Sequence, residues 1–147
     1  MGLDMYLKAK RWIRHSEPEL KNELIKQFEE LKSFDAEVVQ EISIEGIYWR
    51  KANAIHKWFV DHAQKGVDDC GNYYVERSDL IALKEVCDRV LGFKHLAEEL
   101  LPAANGFFFG STDYDDGYYS DVEFTSREIE KLLQLPETWS FEYHSSW

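Results

Sequence analysis

Arg50, Asn53 and His56 recur every three residues in the segment YWRKANAIHKWF, residues 48–59. On a helix, steps of three drift by only about 60° each, so the three side chains share one broad face. A guanidinium fork, an amide and an imidazole on one face suit an anionic ligand whose edges also form hydrogen bonds. Lys51 and Lys57 add positive charge nearby. The start of such a helix adds the partial charge of its unpaired N–H groups. The same residue types have plainer uses. Arg and Lys on helices are mostly solvated, and Asn and His often serve as structural hydrogen bonders.

A second loaded segment is GFFFGSTDYDDGYYSD, residues 106–121. The ring of Phe109 can bury a planar group, Ser111 can donate a hydrogen bond, and Tyr114 can do both. Gly106 and Gly110 let backbone approach closely. Three consecutive Phe residues also suit a core strand. Asp113, Asp115, Asp116 and Asp121 crowd the same stretch, but Gly117 and Phe124 fall where an EF-hand needs oxygen ligands, so no metal is expected. His15, His62, His95 and His144 show no metal-ligand pairing. The reading is one cavity lined by Arg50, Asn53, His56, Phe109, Ser111 and Tyr114, without cofactor or metal. A catalytic alternative would use His56 with the carboxylates near Asp113.

Asp68 and Asp69 precede Cys70 in GVDDCGNYYV, and nearby negative charge holds a thiol in its protonated, weakly nucleophilic form. A tight Asx-type turn is expected there instead. Cys87 falls on the inner stripe of a helix, and the two cysteines are expected to be unpaired.

The elements that position these segments follow from periodicity. Leu3 to Leu7 and Trp139 to Tyr143 alternate apolar with polar residues, as strands of one antiparallel sheet covered on one face do. Val38 to Tyr48 reads as another strand, and Tyr73 to Val75 as a short one. Ser16-x-x-Glu19 predicts a capped helix running to about Phe34. Lys51 to Gln64 predicts a second, and Ser78 caps a third that ends at Gly92. A short helix spans Lys94 to Leu101. Phe107 to Phe109 reads as a buried strand, and Thr125-x-x-Glu128 divides the helical stretch from Tyr118 to Leu135. The expected fold is a single α+β domain over residues 1–147, with about four to five strands in a mainly antiparallel sheet and four to five helices.

The chain has 147 residues, a net charge of −11 and an aromatic content of 15%. That charge repels a polyphosphate backbone, so direct nucleic-acid binding is not expected. No stretch approaches the length of a membrane span and no signal peptide opens the chain, which reads as cytoplasmic. No Walker loop, dinucleotide fingerprint or nucleophile elbow occurs.

Together MGLDMYL, YWRKANAIHKWF, DDCGNYYV, GFFFGSTDYD and FEYHSSW resemble a family of small uncharacterised phage and prophage proteins. The resemblance implies a setting, a viral accessory protein inside a bacterial cell that can act against host defence. It implies no reaction and no site residue. The expected function is non-enzymatic binding of a small anionic or nucleotide-like ligand. An acidic inhibitor that covers a basic surface of a host protein, as a nucleic-acid mimic does, is the competing reading.

Overall fold

Met5, Leu7 and Ala9 alternate with Tyr6, Lys8 and Lys10, and the computed structural model, which describes residues 2–147, sets them in strand β1, Asp4–Trp12. Met1 of the opening motif lies outside the described residues. β1 pairs antiparallel with β2, Glu41–Arg50, on one side and with β4, Trp139–Ser146, on the other. A short β3, Asn72–Val75, pairs antiparallel with β4, so the strand order is β2-β1-β4-β3. The two strands expected from terminal alternation are therefore direct neighbours. Between Leu7 and Lys8 the β1–β2 register slips, and Gly46 is the extra residue.

The buried apolar positions of all four strands point to one face, where helices cover them, while Trp12 and Ile44 at the far end of the β1–β2 pair stay exposed. Met5, Leu7, Trp49, Val75, Phe141 and Tyr143 join Phe59 of α2 (Asn53–His62), Leu83 and Cys87 of α3 (Arg77–Gly92), and Val122 and Ile129 of α5 (Asp116–Leu133) in one core. Each such side chain contributes roughly 1.5–3 kcal/mol by leaving water. The opposite face, with Tyr6, Lys10, Glu142 and His144, carries half-buried side chains packed on one another. This is a single-domain α+β architecture.

The ends of the helices depart from the local sequence signals more than the sheet does. The first helix, α1, spans only Pro18–Lys26, with Glu17 at its N-cap and no side-chain cap from Ser16. The Glu17 carboxylate is engaged by Arg11 and by the Arg14 N–H. Beyond Lys26 the chain continues in short 3₁₀ turns that leave Phe28 and Phe34 exposed, and one of them, Ala36–Val38, delays β2 to Glu41. At α3 the cap is Glu76, not Ser78, because the Asp79 carboxylate accepts from the Glu76 N–H at 3.3 Å. The short helix expected near Lys94 is a 3₁₀ turn, Lys94–Leu96, followed by α4, Ala97–Leu100.

Two corrections bear on the site. Phe107 to Phe109 is a turn and not a buried strand, with Phe107 94% exposed. Thr125 does not divide α5. Its hydroxyl bonds back to the Asp121 carbonyl at 2.6 Å and accepts the Trp49 indole N–H at 2.8 Å, so a polar residue sits satisfied in mid-helix. The guanidinium of Arg77 donates to the carbonyls of Leu133, Leu135 and Pro136 and closes the end of that helix.

Candidate functional site

Arg50 is the last residue of β2 and not part of a helix, so the expected three-residue stripe is broken at its first member. The chain turns from β2 into α2 at Lys51, which adopts a left-handed φ of 60° and donates its N–H to the Leu3 carbonyl at 2.7 Å. That conformation is strained for a residue with a Cβ, and it leaves only two residues, Lys51 and Ala52, between β2 and α2. Gly110, with φ of +85°, passes close by, and a Cβ there would come within 3.3 Å of the Lys51 Cβ.

The turn opens on a cavity of about 200 Å³, with Arg50, Lys51 and the first turn of α2 on one side and Ser111, Asp113 and the first turn of α5 on the other. Two helix N-termini therefore meet across it. At α2 the N-cap is Ala52, which has no side chain able to cap, and the N–H groups of Ala54 and Ile55 have no acceptor among the described residues. At α5 the Asp115 carboxylate caps the Tyr118 N–H at 3.0 Å, while the Gly117 N–H has no acceptor among the described residues. Unpaired first-turn N–H groups are ready-made donors to an anion.

Acid lies in the same space. Burial and the neighbouring charge of Asp115 push the Asp121 carboxyl up to about 6. It is thus partly protonated near neutrality, and protonated it becomes a hydrogen-bond donor. Asp113 remains on the cavity wall, and its N–H is held by the Ser111 hydroxyl at 3.1 Å.

Asn53 touches this cavity but does its bonding elsewhere. Its side-chain NH₂ donates to the carbonyls of Phe109 at 3.0 Å and Ser111 at 2.7 Å, and its oxygen accepts the Ala104 N–H at 3.0 Å. With three bonds made and the residue buried, Asn53 fastens the 103–111 loop to α2. Tyr114 is also committed, its hydroxyl accepting the Ala103 N–H at 3.2 Å and its ring set edge-on to Tyr118.

His56 lies one turn further along α2 and lines a different concavity, together with Phe109 and Asp68. Only 1% of it is exposed. One ring nitrogen, Nδ1, is 2.8 Å from the Tyr143 hydroxyl and the other, Nε2, is 2.9 Å from an Asp68 oxygen. All three groups are satisfied when Nε2–H donates to Asp68 and the Tyr143 O–H donates to Nδ1. The Trp147 indole N–H reaches the second Asp68 oxygen at 3.0 Å, and Phe109 packs edge-on to the imidazole. The carboxylate partner of His56 is therefore Asp68, and not the acids around Asp113.

The structure brings Arg50, Asn53 and Ser111 to one cavity and His56 and Phe109 to a second, while Tyr114 lines neither. Sequence reasoning missed Asp68, Tyr143 and Trp147 as partners of His56, and it missed the start of α5 as a wall. The signal for the latter was present in Asp115-x-x-Tyr118, an N-cap residue ahead of a helical pattern.

The expected turn at Asp69 is present, with the Asp69 carboxylate accepting the Gly71 N–H at 2.9 Å and Cys70 taking the left-handed φ of 58°. Both cysteines are free, and burial pushes the Cys87 thiol up to about 12. Among the described residues, no group of three or more His, Cys, Asp or Glu side chains is placed to hold a metal ion. No described helix is long and apolar enough to cross a membrane.

The fold and cavity define an α+β domain with a cleft between two helix starts, lined by Arg50 and Lys51 and by Asp113, Asp115 and Asp121. In comparisons with known proteins, no family model matches the chain, and no curated protein or solved structure is detectably similar to it.

Proposed function

We propose that this chain is a non-enzymatic binding protein for a small anionic, nucleotide-like ligand held between the starts of α2 and α5. The observation that carries the reading is the convergence of unpaired N–H groups at Ala54, Ile55 and Gly117 with Arg50 and Lys51 on one cavity. The start of α2 carries roughly half a positive charge with no side-chain cap, and together with Arg50 and Lys51 it favours a phosphate or carboxylate, while the Asp115 carboxylate already offsets part of the charge at the start of α5. Asp113 and Asp121 suit donors on the rest of the ligand, such as the hydroxyls of a sugar phosphate. At about 200 Å³ the cavity fits one such unit and is below the ~300 Å³ common for drug-sized ligands. In the phage setting that the motif resemblance implies, withdrawing such a ligand from the host is a means of acting against host defence.

Calorimetric titration with adenosine monophosphate and with inorganic phosphate tests the proposal. Saturable binding that weakens roughly tenfold or more in Arg50→Ala is expected, since a charge-assisted hydrogen bond contributes about 1.5–3 kcal/mol. Absence of saturation with both probes overturns it.

A further inference from the structure

Phe107 stands at the tip of the 103–111 loop with 94% of its surface in water, and Trp147 is 47% exposed beside it. Leaving a Phe in water forgoes roughly 1.5–3 kcal/mol of burial, and a contiguous exposed aromatic patch marks a contact surface. The two rings border a groove of about 350 Å³ with Phe109 and Phe108 as walls. Trp147 and Phe109 meet edge-on, with centroids 6.2 Å apart.

Asp68 also lines the groove. Its two oxygens each accept one bond, from Trp147 and within the His56 pair, and each keeps lone-pair capacity. Among the described residues no Lys or Arg lines the groove, and the chain as a whole carries −11. Aromatic faces around a carboxylate in a negative field are the surroundings that attract an organic cation.

From this juxtaposition we propose that the Phe107–Trp147 groove docks a basic polypeptide segment, seating an arginine side chain against the rings and the Asp68 carboxylate. Arginine fits better than lysine because its planar guanidinium stacks on rings and is more weakly hydrated than an ammonium. A free small cation would fill the groove but leave the outer face of Phe107 in water. A polypeptide covers that face with the residue next to its arginine. This surface and its ligand class are separate from the α2–α5 cavity, and a cationic probe distinguishes the two.

The test is an NMR titration of the full chain, labelled with ¹⁵N, using the peptide acetyl-Ala-Leu-Arg-Leu-Ala-amide. The controls are the same peptide with Glu in place of Arg, and arginine amide alone. Saturable shifts of the Trp147 indole N–H and the Phe107 amide with the Arg peptide are expected, with none from the Glu peptide and much weaker effects from arginine amide. Phe107→Ser, which alters a solvated side chain and leaves the core intact, is expected to weaken binding about threefold or more, the scale of one ring contact. Three results overturn the proposal: no saturation with the Arg peptide up to about 10 mM, the weakest affinity such a site would show; equal shifts from the Glu peptide; or undiminished affinity in Phe107→Ser. Binding of arginine amide as tight as that of the peptide overturns the polypeptide assignment.

Discussion

The two concavities on either side of α2 contain similar chemistry and differ in how much of it is already used. At the His56 end, imidazole, hydroxyl, carboxylate and indole pair with one another, so that each polar group has its partner within the protein. At the other end, Arg50 is exposed and lies 4.0 Å from Asp4, its closest carboxylate, while the N–H groups of Ala54, Ile55 and Gly117 lack acceptors among the described residues. That network, buried at His56 and Tyr143, contributes rigidity and leaves spare capacity only as acceptor lone pairs on the half-buried Asp68. Unspent donors around a cavity mark the place where a ligand adds something.

Substitutions should therefore act on stability at one end and on anion binding at the other. The largest effect is expected from His56→Ala, which leaves the Tyr143 hydroxyl unpaired and opens a void. Its cost is roughly 3 kcal/mol or more by denaturant unfolding. Asn53→Ala removes the three bonds that hold the 103–111 loop, and a loss of about 2–3 kcal/mol is expected. A cost under about 0.5 kcal/mol, the scale of a surface change, would mean that the loop is held otherwise. Arg50→Ala reverses the pattern, with stability changed by less than about 0.5 kcal/mol and anion affinity reduced about tenfold.

Asp121→Asn gives a pH-dependent effect. The folded carboxyl titrates at about 6, above its ordinary range near 4, so folding favours the protonated form. Wild type should lose stability as pH rises from about 4 through 6 and carry the full penalty above that. The Asn variant should melt higher than wild type at pH 8 and no higher at pH 4. Sulfate, whose charge is constant over this range, should bind wild type more tightly as pH falls through about 6, because one negative charge leaves the cavity. A flat profile would separate Asp121 from the site. The smallest effect concerns thiols. A thiol reagent should label half-buried Cys70 in the folded chain, while Cys87 reacts only on unfolding.

Legibility in the sequence divided along similar physical lines. Alternation exposed β1 and β4, and the 3.6-residue period exposed α2, α3 and their buried stripes, because burial on one face imposes a pattern over many residues. The capping motifs at Ser16 and Ser78 mislead because the adjacent acids Glu17 and Glu76 take the N-cap positions, and the one at Thr125 because its hydroxyl is engaged by Trp49, 76 positions away. Arg50, Asn53 and Ser111 were found by type and do meet at one cavity. The partition of His56 away from them depends on Asp68 and Tyr143, and the latter comes from a strand 87 positions later. The left-handed turn at Lys51, which ends the presumed helical stripe, has no glycine to announce it.

The central claim is that the starts of α2 and α5 act together as one anion site. Its most direct test is an NMR titration of the ¹⁵N-labelled chain with inorganic phosphate, following the amides of Ala54, Ile55 and Gly117. The account predicts that all three shift along one shared saturation curve and that the curve moves to higher phosphate in Arg50→Ala. Shifts confined to one helix, or a curve unmoved by Arg50→Ala, would contradict it.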